Sequence, residues 1–157
     1  MDPSQFALLR GEWTGTGKMT MGTLLGDVVE YVRMEATDSP EILSYIRKSR
    51  IQFPGRVAVH NELGFIRLKS VSLMLHRGTY NILEWDDEAQ QYSMVSGSPD
   101  TRQMTRKITL ANAASMHWYN FMEVLHQSNW ISHEVETQFT SLLLKPSHEA
   151  VPADFFV

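Results

Sequence analysis

Apolar and polar residues alternate along most of this chain with a period of two, the pattern of a strand with one face buried, rather than with the roughly 3.6-residue period of a helix. Asp27 to Ala36 shows it plainly: Val29, Tyr31 and Arg33 fall on one side, and Val28, Glu30, Val32 and Met34 on the other. Glu12 to Thr20, Ile42 to Phe53, Arg56 to Leu68, Val71 to His76, Thr79 to Trp85, Gln91 to Ser96, Gln103 to Ala111, Met116 to His126 and Trp130 to Lys145 read as further strands. Turn residues separate them: Thr37-Asp38-Ser39-Pro40, Pro54-Gly55, Asp86-Asp87-Glu88, Gly97-Ser98-Pro99-Asp100 and Asn112-Ala113-Ala114-Ser115. Met21 to Gly26 reads as a loop or one short turn.

One segment breaks the rule. Asp2-Pro3-Ser4-Gln5 opens a short helix, with Asp2 as cap, Pro3 at the first helical position and Gln5 at the capping-box position. Phe6, Leu8 and Leu9 form its apolar face and Gly11 stops it. So short a helix must dock on something to be stable. A meander of hairpins after one short helix predicts an all-β fold: a single antiparallel up-and-down β-barrel of about ten strands, closed near one end by the helix. The barrel core spans residues 6–145 of a single 1–157 domain, and 146–157 form a tail ending in Phe155-Phe156-Val157. Gly15 and Gly17 share a strand face with Trp13, which permits sharp coiling or close approach of another backbone. Trp13 is the candidate plug near the barrel floor.

The strand from Val57 to Leu68 carries the most chemistry. His60 and Glu62 stand two residues apart and so point to one face, and Gly64 follows on that face without a side chain, leaving room beside them. An imidazole, a carboxylate and a gap in one row suit a barrel strand facing a ligand cavity. They also suit a pair that hydrogen-bonds to itself or faces solvent.

Composition narrows the choices. The chain has 157 residues, 43% of them hydrophobic, which suits one domain with a real core. It has no cysteine, which excludes disulfides, thiolate metal sites and a cysteine nucleophile. Net charge is −4 and the largest basic cluster is Arg47-Lys48-Ser49-Arg50, which argues against nucleic acid as the main partner. The N-terminus lacks the basic and apolar regions of a secretory signal, and no apolar run approaches the ~20 residues of a membrane span. A cytoplasmic protein without membrane insertion is the expectation. There is no phosphate loop, no H-E-x-x-H and no G-x-S-x-G, and Gly15-Thr16-Gly17 lacks the helix that a nucleotide motif needs. The six histidines are scattered without metal-ligand spacing, so no metal site is expected. Four tryptophans, seven phenylalanines and nine methionines fit a packed core and equally an adaptable apolar pocket.

Three stretches taken together resemble the nitrobindin family, whose members are fatty-acid-binding-protein-like β-barrels of the calycin type. They are Leu8 to Gly17 (L-L-R-G-E-W-T-G-T-G), Tyr31 to Tyr45 continuing to His60-Asn61-Glu62-Leu63-Gly64-Phe65-Ile66-Arg67, and Thr137 to Lys145. The resemblance spans roughly Phe6 to Lys145. It implies a cavity for a small apolar or planar ligand, or alternatively haem b with peroxynitrite isomerase activity. Two departures stand out. Lys18-Met19-Thr20 stands where the family continues with glycine and Tyr-Pro. Aligning the last strand on Phe139, Leu143 and Lys145 puts Gln138 where the axial haem histidine belongs, and an amide oxygen is a poor ligand for haem iron. His133 lies five residues away and would face the other side unless a bulge intervened. His60 matches the family's pocket-lining histidine, a haem contact from the opposite side. The candidate ligand-binding residues are therefore His60, Glu62, Gln138 and Gly64, with no catalytic residue assigned. The expected partner is a small hydrophobic or planar molecule, a homodimer is allowed, and an exposed apolar patch near the Phe155-Phe156-Val157 tail would favour an interaction protein instead.

Overall fold

The two-residue alternation closes into one sheet. In the computed structural model, which describes residues 1–76 and 78–142, a short helix precedes ten strands. The elements are α1 (Pro3–Leu8), β1 (Gly11–Met21), β2 (Leu24–Ala36), β3 (Ile42–Phe53), β4 (Arg56–Arg67), β5 (Ser70–Leu75), β6 (Tyr80–Asp86), β7 (Gln91–Gly97), β8 (Thr101–Asn112), β9 (Ser115–His126) and β10 (Asn129–Ser141). Each strand pairs antiparallel with its neighbours in sequence, and β1 pairs with β10 to shut the barrel. The ring is continuous, and its narrowest join is between β7 and β8, which pair only at Tyr92–Arg106 and Ser93–Thr105. The all-β class, the up-and-down barrel and the short N-terminal helix are as the alternation predicts.

Two boundaries differ. The loop or short turn expected over Met21 to Gly26 is a short turn with narrower bounds: β1 runs to Met21 and β2 begins at Leu24, so only Gly22 and Thr23 turn the chain. Gly22 has φ +60°, a left-handed conformation that glycine adopts without penalty. β10 ends at Ser141. The remainder of the expected last strand, with Leu143 and Lys145, and the 146–157 tail lie outside the described residues.

The helix end of the barrel is solid. Asp2 caps α1 by accepting from the Ser4 N–H at 2.7 Å, and Pro3 occupies the first turn. Phe6 and Leu9 bury against the barrel, and the Trp13 indole Nε1 donates to the Leu9 carbonyl at 2.9 Å. Above Trp13, the rings of Trp118 and Phe139 meet edge-on with centroids 5.7 Å apart, and Trp118 meets Tyr45 at 6.2 Å. Val32, Met34, Leu43, Ile66, Leu73, Leu83 and Met116 complete this plug. The seam between β1 and β10 is tight because β1 carries glycines there. A Cβ on Gly17 would run into the Glu136 carbonyl, and one on Gly15 into the Gln138 carbonyl and the Phe139 ring.

Candidate functional site

Among the described residues, four charged side chains sit inside this barrel, each on the inward row of its strand. Glu30 alternates with Val28 and Val32 on β2, Arg47 with Tyr45 and Ser49 on β3, Glu62 with Ile66 on the inward face of β4, and Arg106 with Met104 and Ile108 on β8. A bulge precedes the inward row of β8. The β8–β9 register shifts between Arg102 and Thr105, with Gln103 at φ +56°. Glu62 and Arg106 are 1% and 0% exposed.

The four ions neutralise one another. Arg47 donates to Glu30 at 2.7 and 3.3 Å, and the Ser49 hydroxyl adds a bond to Glu30 at 2.9 Å. Arg106 reaches Glu62 at 2.6 and 3.1 Å, and Arg47 approaches the same carboxylate at 3.8 Å. Tyr45 donates its hydroxyl to Glu62 and accepts from Arg106 at 2.9 Å. Both guanidinium groups lie over the Trp118 ring, Arg106 at 5.0 Å and Arg47 at 5.3 Å from its centre. Burial alone would raise the Glu62 carboxyl. Arg106, the His60 hydrogen bond and Arg47 outweigh it and hold the group well below the usual carboxylate range. Tyr45 is pushed up, first by burial and then by the Glu62 charge.

This ionic layer is the floor of a cavity of about 230 Å³ in the half of the barrel away from α1. Its walls are thioether and aromatic: Met19, Met21, Met104, Met122, Phe53 and Phe121, with Ile51, Ala58 and Val135. Three imidazoles, His60, His76 and His133, reach it as well. His60 and His76 meet edge-on at 5.8 Å. Asn120 joins floor to wall: its Oδ1 accepts from Arg106 Nε at 2.6 Å, while its buried Nδ2 has no partner among the described residues. A buried amide N–H pair without an acceptor is costly unless something supplies one.

The sequence-derived candidates divide. His60 and Glu62 both face inward beside the cavity, with His60 Nε2 at 3.5 Å from Glu62 Oε2. Gly64 also faces inward, but the room beside it belongs to the protein. A Cβ there would meet Tyr45 Cε1 at 2.7 Å, so Gly64 is what lets Tyr45 lean across to Glu62. Gln138 stands apart from the cavity, on the outer wall, where its Nε2 donates to Ser115 Oγ at 2.9 Å and to the Met116 carbonyl at 3.2 Å. The inward row of β10 is His133, Val135, Thr137, Phe139 and Ser141, and its pairing with β1 runs without a shift. His133 therefore reaches the cavity without the bulge expected for it. Arg106, Arg47, Glu30 and Asn120 were not among the candidates.

Among the described residues no helix is long and apolar enough to cross a membrane. On the outer wall Leu63, Met74 and Tyr80 pair across β4, β5 and β6 and are each about half exposed. The Phe155-Phe156-Val157 end expected to mark an interaction patch lies outside the described residues.

No family model matches the chain, and no curated protein matches it. Among solved structures, the S-type phycobiliprotein lyase CPES from Guillardia theta superposes with a TM-score of 0.49 at 11% identity, covering 90% of this chain and 93% of that one. It is a likeness of chain path, and nothing about function follows from it. The closed ten-strand barrel rests on the chain's own strand pairing.

Proposed function

We propose that this protein binds a small, mainly apolar or planar molecule in the open half of its barrel, as a nitrobindin-like or fatty-acid-binding-protein-like carrier rather than a catalyst. The observation that carries the reading is the cavity of about 230 Å³ with thioether and aromatic walls above a floor of internally neutralised ions. Such walls reward apolar surface, and methionines adapt to its shape. Two arginines against two carboxylates give the floor no net charge, so a charged head group gains little there. The Asn120 Nδ2, without an acceptor among the described residues, favours a ligand that brings one, such as a carbonyl oxygen.

Haem, the cofactor of the family resembled, does not fit this arrangement. The two arginines of the floor are already paired with carboxylates, so they offer little to the haem propionates. Gln138 lies on the outer wall, and His60 Nε2 is turned to Glu62. Peroxynitrite isomerase activity, which the haem would carry, is correspondingly disfavoured.

The test is a titration with Nile red, a neutral planar fluorophore. The wild type should bind it saturably, with displacement by small apolar ketones. Ala58→Phe, which places a ring in the cavity from the inward row of β4, should abolish binding and leave the melting transition in place. Equal binding by both proteins would remove the cavity from the account.

A further inference from the structure

The cavity carries a second chemistry toward its mouth. β1, β10 and β9 lie side by side, and in their register Met21 stands opposite His133 and His133 opposite Met122. All three side chains line the cavity. Residues directly opposed on antiparallel strands hold their Cβ atoms ~4.5–5.5 Å apart. The row is thus a thioether, an imidazole and a second thioether across three consecutive strands. The unbranched methionine arms, each with three rotatable bonds, can converge on the ring from both sides.

We propose that Met21, His133 and Met122 form a binding site for a soft monovalent metal ion, cuprous copper above all. Thioether sulfur selects soft ions and imidazole nitrogen suits copper, whereas zinc, magnesium and calcium take thiolate, imidazole or oxygen donors. Among the described residues the neighbouring carboxylates are turned elsewhere or engaged. Glu134 and Glu136 lie on the outer face of β10, and Glu30 and Glu62 are held by the arginines of the floor. Among the described residues no three histidine, aspartate or glutamate side chains assemble into a metal-binding group, and the chain has no cysteine to compete for the ion. Three neutral donors around a singly charged ion leave one net charge in a half-buried place, a smaller desolvation cost than a divalent ion would carry. Met19, two residues before Met21 on the same inward row, offers a further sulfur. The site goes beyond the apolar-ligand reading and does not depend on it.

Two titrations decide it. The first supplies copper(I) anaerobically, buffered by bicinchoninate. The wild type should take one equivalent, Met21→Leu and Met122→Leu should each weaken binding about tenfold or more, and Met74→Leu, on the outer wall, should not. Zinc(II) should not compete. The second follows methionine methyl resonances of the wild type with silver(I), a soft ion that does not change oxidation state under these conditions. Met21 and Met122 should shift, and Met34 and Met74 should stay. This arm needs no variant and remains decisive if a substitution disturbs folding. Failure of the wild type to take up one equivalent, binding unchanged in the Met21→Leu/Met122→Leu double variant, or silver shifts centred on Met74 would each overturn the proposal.

Discussion

Replacing Glu62 by glutamine removes one charge from the buried layer and leaves its shape. Arg106, 0% exposed, then loses its counter-ion, since the other buried carboxylate, Glu30, is held by Arg47 and Asn120 offers only a neutral oxygen. Breaking one side of a buried ion pair typically costs about 3–5 kcal/mol. Glutamine can still accept from Arg106 and Tyr45 through its carbonyl oxygen, which puts the expected cost near the lower figure, about 3 kcal/mol. For a domain of this size each kcal/mol moves the melting temperature by roughly 2–4 °C, so Glu62→Gln should melt roughly 6–12 °C below wild type at neutral pH. The same substitution should change the acid response. The unfolded Glu62 takes up a proton near its ordinary value of 4.5, while the folded one resists until well below it. In that window the unfolded state binds more protons, so wild-type stability falls as the pH drops below about 4.5. Glu62→Gln lacks that contribution, and its acid limb should be flatter. Urea unfolding of both proteins from pH 7 down to pH 3 measures the two effects together. A cost below about 1 kcal/mol together with an unchanged acid limb would mean that the pair is not a buried, ionised one.

Other substitutions separate seam, plug and wall. Gly17→Ala should destabilise by about 1–3 kcal/mol in urea unfolding, because the new methyl meets the Glu136 carbonyl, a backbone group that cannot swing aside. Trp13→Phe keeps an aromatic plug but loses the bond to the Leu9 carbonyl, so it should cost about 1 kcal/mol or somewhat more and leave Nile red binding unchanged. Gln138→His adds an imidazole to the outer wall, where no iron in the cavity can reach it, so haemin titrations of wild type and variant should coincide.

The barrel was legible because the local signals agreed. Period-two alternation, turn clusters and a capped helix all led to the same meander, and β1–β10 closure needed only the Gly15 and Gly17 positions to let two backbones meet. The His60–Glu62 row was legible for the same reason: two polar residues on the inward face of a strand that buries Ile66. Its partners were harder to see. Arg106 shares a regular inward row with Met104, Ile108 and Leu110, but its partners Glu62 and Tyr45 come from β4 and β3 across the barrel, which alternation along β8 does not reveal. Arg47 and Glu30 gave a similar signal, each the single charge in a mainly apolar inward row. Gln138 went the other way. Alternation groups it with Glu134 and Glu136, and sets Val135 and Phe139 on the opposite face. That local pattern marked Gln138 as outward, and the family alignment of the last strand overrode it. Gly64 shows a different gap: a missing side chain predicts space, but not which neighbour fills it, and here it is Tyr45.

Methionine positions supply the most direct test of the central claim. Met19, Met21, Met104 and Met122 line the cavity, Met34 and Met116 lie in the solid plug, and Met74 is on the outer wall. Methyl-labelled protein titrated with Nile red reports all of these sites at once. A guest in the barrel should shift the four cavity methyls in a saturable way and leave Met34, Met116 and Met74 unmoved. Shifts confined to Met74, or no shifts at saturating Nile red, would contradict a ligand-binding cavity.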